Sequence, residues 1–262
     1  MLPERHSRIV LAVLLVCAGT ISMVGCKRDP VTQQPAQPQN LASQSGAVKI
    51  IGNSQISGTI SFKGKAPAAT IDTSMDPACG KPLLPTEQFV VKDGKLANVF
   101  IYLKSGPPEA MMGGNVTAQP VVMDQRNCQY IPHVIGVVAG GYVEFRNSDP
   151  TMHNIHTMPA NVGNETIDIS EGPNGHPQRK QLLKPELMIP VRCNNHPWMN
   201  AFINVSSTPF FAVSDAEGHF VLHGLPPGDY VIGAVHEKMG KQTMRVKVLP
   251  NQTATAEFSF TQ

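Results

Sequence analysis

Apolar and polar residues alternate with a period of two along most of the chain. Residues 55–62 read Gln-Ile-Ser-Gly-Thr-Ile-Ser-Phe and put Ile56, Ile60 and Phe62 on one face. Residues 142–146 alternate in the same way, and residues 98–103 form a β-rich run. The pattern returns at 210–213, 219–222, 230–232 and 244–248. Successive side chains of a strand point to opposite faces, so this alternation predicts short, half-buried strands. A helical period is hard to find after the first segment. Turn clusters separate the runs, for example Asp215-Ala216-Glu217-Gly218 and Leu225-Pro226-Pro227-Gly228-Asp229. The expected fold class is all-β, built from sandwiches.

Two segments break the pattern. Residues 1–25 place Arg5 and Arg8 before an apolar run from Ile9 to Ile21. The run is too short to span a bilayer and reads as a signal peptide. It ends in Met23-Val24-Gly25-Cys26, which resembles the lipobox of bacterial lipoproteins. That resemblance implies that Cys26 is lipidated and becomes the mature N-terminus. Lys27 after it then implies export to the periplasmic face of an outer membrane or to the cell surface. Residues 26–46 are rich in Pro, Gln, Ser and Ala and have little to bury, so they read as a tether from the lipid.

Composition narrows the function classes. Lys+Arg total 21 against Asp+Glu 19, which leaves no basic field for nucleic acid. With 41% hydrophobic residues the chain can build a core. The plentiful Gly and Pro suit many turns rather than long helices. Five cysteines are present. Cys17 leaves with the signal and Cys26 carries lipid, so Cys79, Cys128 and Cys193 remain in an oxidising compartment. Three cysteines make one pair and one that needs another role.

The strongest chemical signal is Cys193-Asn194-Asn195-His196-Pro197-Trp198-Met199. It offers a thiolate, an imidazole and a thioether on one short loop. Upstream, Met152-His153-Asn154-Ile155-His156 supplies further imidazoles. Two His, one Cys and a weak axial Met are the donor set of a blue-copper site. No Ser-His-Asp elbow, phosphate-cradling glycine loop or His-Glu-x-x-His motif is present, so the chain is not expected to be an enzyme.

These residues resemble the cupredoxins of the amicyanin and plastocyanin group. The Cys-x-x-His-Pro-aromatic-Met loop, the exit residues Ala201, Ile203 and Val205, and the approach 138–147 followed by His153-Asn154-Ile155 carry the resemblance. It implies a Greek-key sandwich with one copper ion held by His153, Cys193, His196 and Met199. It also implies support from Asn154 and from a backbone N–H near Asn195. His196, beside Pro197 and Trp198, would be the solvent-facing electron port and docking patch. With Cys193 so used, Cys79 and Cys128 are left as the disulfide pair. His156 is the alternative to His153, and strand alternation favours His153. His133, His156 and His236 are candidates for a second metal site, against a reading as ordinary strand histidines.

Residues 210–248 resemble the carboxypeptidase regulatory-like (transthyretin-like) β-sandwich. The expected organisation is a cupredoxin-like domain over 47–205 and a smaller sandwich over 206–262. The C-terminal stretch is short for a sandwich, which leaves open whether strands from 55–103 complete it. The expected function is single-electron transfer with an exported redox partner: a cytochrome, a dehydrogenase or an oxidase. The alternatives are a copper carrier or buffer, or a cell-surface binding module with a structural metal.

Overall fold

The first strand decides how the molecule is divided. Ile56, Ile60 and Phe62 in β1 (Ser54–Lys63) are buried, but against the far end of the chain. The computed structural model describes residues 51–67, 70–80, 83–113 and 119–262. The signal segment, the tether and Cys26 lie outside the described residues.

After β1 come β2 (Thr70–Asp72), β3 (Leu83–Pro85), β4 (Val91–Lys92), β5 (Lys95–Leu96) and β6 (Phe100–Ser105). Next are β7 (Val121–Arg126), β8 (Gln129–Ile131), β9 (Val134–Val138), β10 (Tyr142–Asn147) and β11 (His153–Thr157). They are followed by β12 (Asp168–Glu171), β13 (Gln178–Gln181), β14 (Glu186–Arg192) and β15 (Asn200–Ser206). The chain ends with β16 (Phe211–Val213), β17 (His219–Leu225), β18 (Gly228–His236), β19 (Gly240–Val248) and β20 (Thr253–Thr261). Among the described residues, helical structure is confined to a 3-10 turn, Pro77–Cys79, and one short α-helix, Pro108–Met111. The protein is all-β.

One sandwich pairs the sheet β17-β1-β5-β4, with β20 beside β1, against the sheet β16-β6-β18-β19. Ile60, Leu96, Ile101, Phe220, Ile232 and Phe258 lie in its core. A second, inner sandwich pairs β13-β10-β7-β8 with β12-β11-β14-β15-β9. Its core includes Met123, Phe145, Ile155, Ile189, Val191 and Ile203. Strands β1, β4, β5 and β6 therefore belong with β16–β20, β2 and β3 form a two-stranded sheet of their own, and the segment that starts near 119 and ends near 208 is inserted between β6 and β16. This corrects the expected boundary of 47–205 and 206–262. The reason is that the C-terminal strands cannot close a sandwich alone. β6 lies between β16 and β18, and β1 pairs in parallel with β20 from Gln55–Thr253 to Lys63–Thr261.

A third apolar cluster, Phe100, Val134, Val138, Phe211, Val213 and Val235, joins the two sandwiches. Gly136 permits this contact. A Cβ there would lie 2.5 Å from the Phe211 ring and 2.6 Å from the Phe100 ring. The β10–β11 connection, the β14–β15 loop and the β7–β8 turn meet in the inner sandwich. The 3-10 turn is tied to them through Cys79.

Candidate metal centre

β11 enters the inner sandwich at His153, and its alternation sends His153 and Ile155 inward. His156 is half-exposed, with Nδ1 3.4 Å from an Asp168 carboxylate oxygen. Between β14 and β15 the chain makes a tight loop. The Cys193 N–H donates to the Met199 carbonyl (3.3 Å) and the Met199 N–H to the His196 carbonyl (2.9 Å). This closure turns Cys193 and His196 towards His153.

The Nδ1 atoms of His153 and His196 are 2.9 Å apart, and Cys193 Sγ is 3.7 Å from His196 Nδ1. The potential ligand atoms of the three residues all lie within 4.8 Å of one another. His153 is 0%, Cys193 3% and His196 4% exposed, so water does not solvate this group. Each outer nitrogen meets a carboxylate. His153 Nε2 is 2.8 Å from Asp149 Oδ2, and His196 Nε2 is 2.9 Å from Asp76 Oδ2. A ring that donates through Nε2 turns a lone pair inward at Nδ1. The two Nδ1 atoms and the sulfur face one another, so in the metal-free protein a proton bridges the 2.9 Å between the two nitrogens, and a metal ion would take its place.

The titration of these groups reflects the same field. Burial pushes the Cys193 thiol up, but hydrogen bonds from His153, the Asn154 N–H and His196 outweigh it and bring it to about 7. Burial works against the charged His153 ring, yet Asp149 and Cys193 raise it to about 9. The Asp76 carboxyl is held low, first by its hydrogen bond with His196. Without metal the pocket thus favours an imidazolium beside a thiolate, and a metal ion would take the place of that proton.

Met199 is buried in the same apolar cluster as Cys193. Asn154 joins the two segments: its N–H donates to Cys193 Sγ (3.3 Å), and its side-chain oxygen accepts from the Asn194 N–H (3.4 Å). The sulfur has two backbone donors: the Asn154 N–H, which was not expected, and the N–H of His196, next to Asn195, as expected, and both lower the thiol. Asn195 itself is exposed and its side chain reaches the Met152 carbonyl (3.4 Å). The expected solvent-facing edge of His196 is also corrected, because Asp76 covers that edge. Trp198 is half-buried, its ring centroid 5.1 Å from that of His196 and its N–H 3.2 Å from the Cys128 carbonyl. Pro197 is exposed. Cys79 and Cys128 form a disulfide, and Cys193 is a free thiol.

His133, His156 and His236 do not converge. His133 Nε2 pairs with Glu237 (2.6 Å), and His236 is buried between Phe89 and Phe260. Burial, the main cause, lowers His236 to about 4. Asp76 and Asp149 were missed by sequence reasoning. Asp149 lies four residues before His153, a spacing with no signature in a loop. Asp76 is 120 residues from His196, and its nearness to Cys79 was the only available pointer.

The donor chemistry fits a borderline or soft ion. A thiolate and two imidazoles, with the buried Met199 on the same loop, suit copper, whereas hard cations require oxygen donors. No protein-family model matches the chain, and no curated protein matches it. Among solved structures, a copper-containing nitrite reductase from Thermus scotoductus is similar at 24% identity and a TM-score of 0.30, over 37% of this chain and 26% of that one. This chain thus spans about a quarter of the reductase's length. Amicyanin from Paracoccus versutus is similar at 18% identity and a TM-score of 0.30, over 40% of this chain and 96% of that one. With likeness this low, the reading of the site rests on its own residues.

Proposed function

We propose that the inner sandwich holds one type 1 copper ion and that the protein carries single electrons between exported redox partners. The observation that supports this is the buried convergence of His153, Cys193 and His196 through two inner-facing nitrogens and a sulfur. His153 and His196 would bind through Nδ1, Cys193 through its thiolate and Met199 as a weak axial thioether. When bound, copper supplies a one-electron couple between Cu(I) and Cu(II). The chain's own residues supply the rest. Buried donors exclude water, the tight loop fixes Cys193 and His196 relative to each other, and a protein-filled site has no place for a substrate.

Trp198 and Pro197 are the proposed docking residues, because Asp76 closes the His196 edge. Together with Met199 they line a cleft of about 490 Å3, to which Ile71, Gln88 and Glu237 also contribute. The partner in this reading is a cytochrome, dehydrogenase or oxidase, and lipid on Cys26 keeps the protein at the membrane surface.

A copper carrier is the second reading. Met75 and Met152, 82% and 52% exposed, flank the contact in which the Thr151 hydroxyl donates to Asp76 (2.9 Å). Exposed thioethers suit capture of Cu(I). Rapid loss of the whole ion to an acceptor, without electron exchange, would favour this reading.

Titration of the mature protein with Cu(II) tests the proposal. An intense thiolate-to-Cu(II) charge-transfer band is expected, lost in Cys193→Ser and His153→Ala and kept in His156→Ala. A colourless protein that retains one zinc ion would overturn it.

A further inference from the structure

We infer that Asp76 and Asp149 are positioning residues for the two histidines, and that the Cys79–Cys128 disulfide is the strap that holds both carboxylates in place. The inference rests on the metal-site reading above for its binding arm only.

The strap starts in the β7–β8 turn. Asn127 and Cys128 both have φ of +54°, the left-handed conformation of a two-residue hairpin turn. Asn tolerates this conformation, whereas Cys does not favour it. Here the turn is held from two sides. Its successive N–H groups donate to the two oxygens of Asp149, Asn127 at 2.7 Å and Cys128 at 2.8 Å. Cys128 is also bonded covalently to Cys79. Asp149 is fixed further by its own N–H, which donates to the Asn147 side chain (3.0 Å). The carboxylate's remaining contact is the one with His153 Nε2 (2.8 Å).

Cys79 ends the 3-10 turn that Asp76 caps. Asp76 Oδ1 accepts from the Ala78 N–H (2.8 Å). Its Oδ2 accepts from the Thr151 hydroxyl (2.9 Å) and from His196 Nε2 (2.9 Å). The single S–S bond therefore ties the turn that presents Asp76 to the turn that presents two N–H groups to Asp149. The ring order is Asp149, His153, His196, Asp76, with every step between 2.8 and 2.9 Å.

An imidazole without such a partner can exchange its proton between its two nitrogens and rotate its ring. A carboxylate on Nε2 prevents both and commits Nδ1 to the metal. This matters most for His196, which sits on a loop rather than on a strand. The Asp76 carboxylate reaches it from the segment between β2 and β3, so the inserted segment 119–208 does not complete its site alone.

The test reads ring protons in the metal-free mature protein at neutral pH, using histidine labelled with nitrogen-15. Both His153 and His196 should carry a fixed Nε2–H. Asp76→Ala should release the His196 signal and leave that of His153. Asp149→Ala should do the reverse. Asp76→Asn keeps an acceptor and should restore the His196 signal. The double variant Cys79→Ser with Cys128→Ser should loosen both rings. In the binding arm, Co(II) affinity measured by competition should fall about 10–100-fold in Asp76→Ala and much less in Asp76→Asn. Unchanged Nε2–H signals in folded Asp76→Ala and Asp149→Ala proteins would overturn the inference. The ring-proton result stands apart from copper: an intact pattern in a protein that never turns blue would sink the copper reading alone.

Discussion

At Cys193 two effects oppose each other. Burial raises the thiol, while hydrogen bonds from His153, the Asn154 N–H and His196 lower it, and the balance moves it from 9.0 to about 7. The folded-state value lies below the unfolded one, so the folded protein holds fewer protons at this group between those limits. Its contribution to stability is present above the unfolded value and is lost as pH falls through about 7. In the metal-free protein, the ultraviolet absorbance of the thiolate should therefore rise with a midpoint near 7. His153→Phe removes one of the donors and should move that midpoint up. A wild-type midpoint at the ordinary thiol value would refute the proposed field. At this scale the loop residues were legible because four donors or neighbours lie within one short segment. The carboxylates were not, since nothing local marks an aspartate as a partner of a ring 120 residues away.

Among the elements, β9 shows how packing on both faces shapes a strand. Its residues Val-Ile-Gly-Val-Val are all buried, a continuous apolar run rather than an alternating one. Ile135 and Val137 face the inner core, while Val134 and Val138 face the outer sandwich. Gly136 has no side chain because the rings of Phe211 and Phe100 occupy that space. Gly136→Val should destabilise the protein by about 1–3 kcal/mol or more, the usual cost of overpacking. Urea denaturation of the metal-free protein measures it, and an unchanged midpoint would mean that the two sandwiches do not press on each other there. The alternating strands β1 and β10 were readable from period alone. β9 was not, because a run buried on both sides carries no period.

For the whole molecule, the insertion is the feature with consequences. A fragment over residues 47–205 keeps β1 and β6 but lacks β16–β20, which cover Ile56, Ile60 and Phe62. It should expose that apolar face and aggregate, as size-exclusion chromatography and circular dichroism will report. A soluble, monomeric fragment with native strand content would show that the outer strands are dispensable.

The chain's own pattern was enough for its all-β class, for many of its strands and for the Cys–His–Met loop, since each depends on residues close in sequence. Which strands share a sheet was a different matter. β1 and β20 pair across almost two hundred residues, and short β segments fit many partners equally well until a core selects among them. The sealing of His196 belongs to the same class. Asp76 reaches it only because the disulfide, the β7–β8 turn and Thr151 bring distant segments to one point, and contacts of that kind exist only in the folded arrangement.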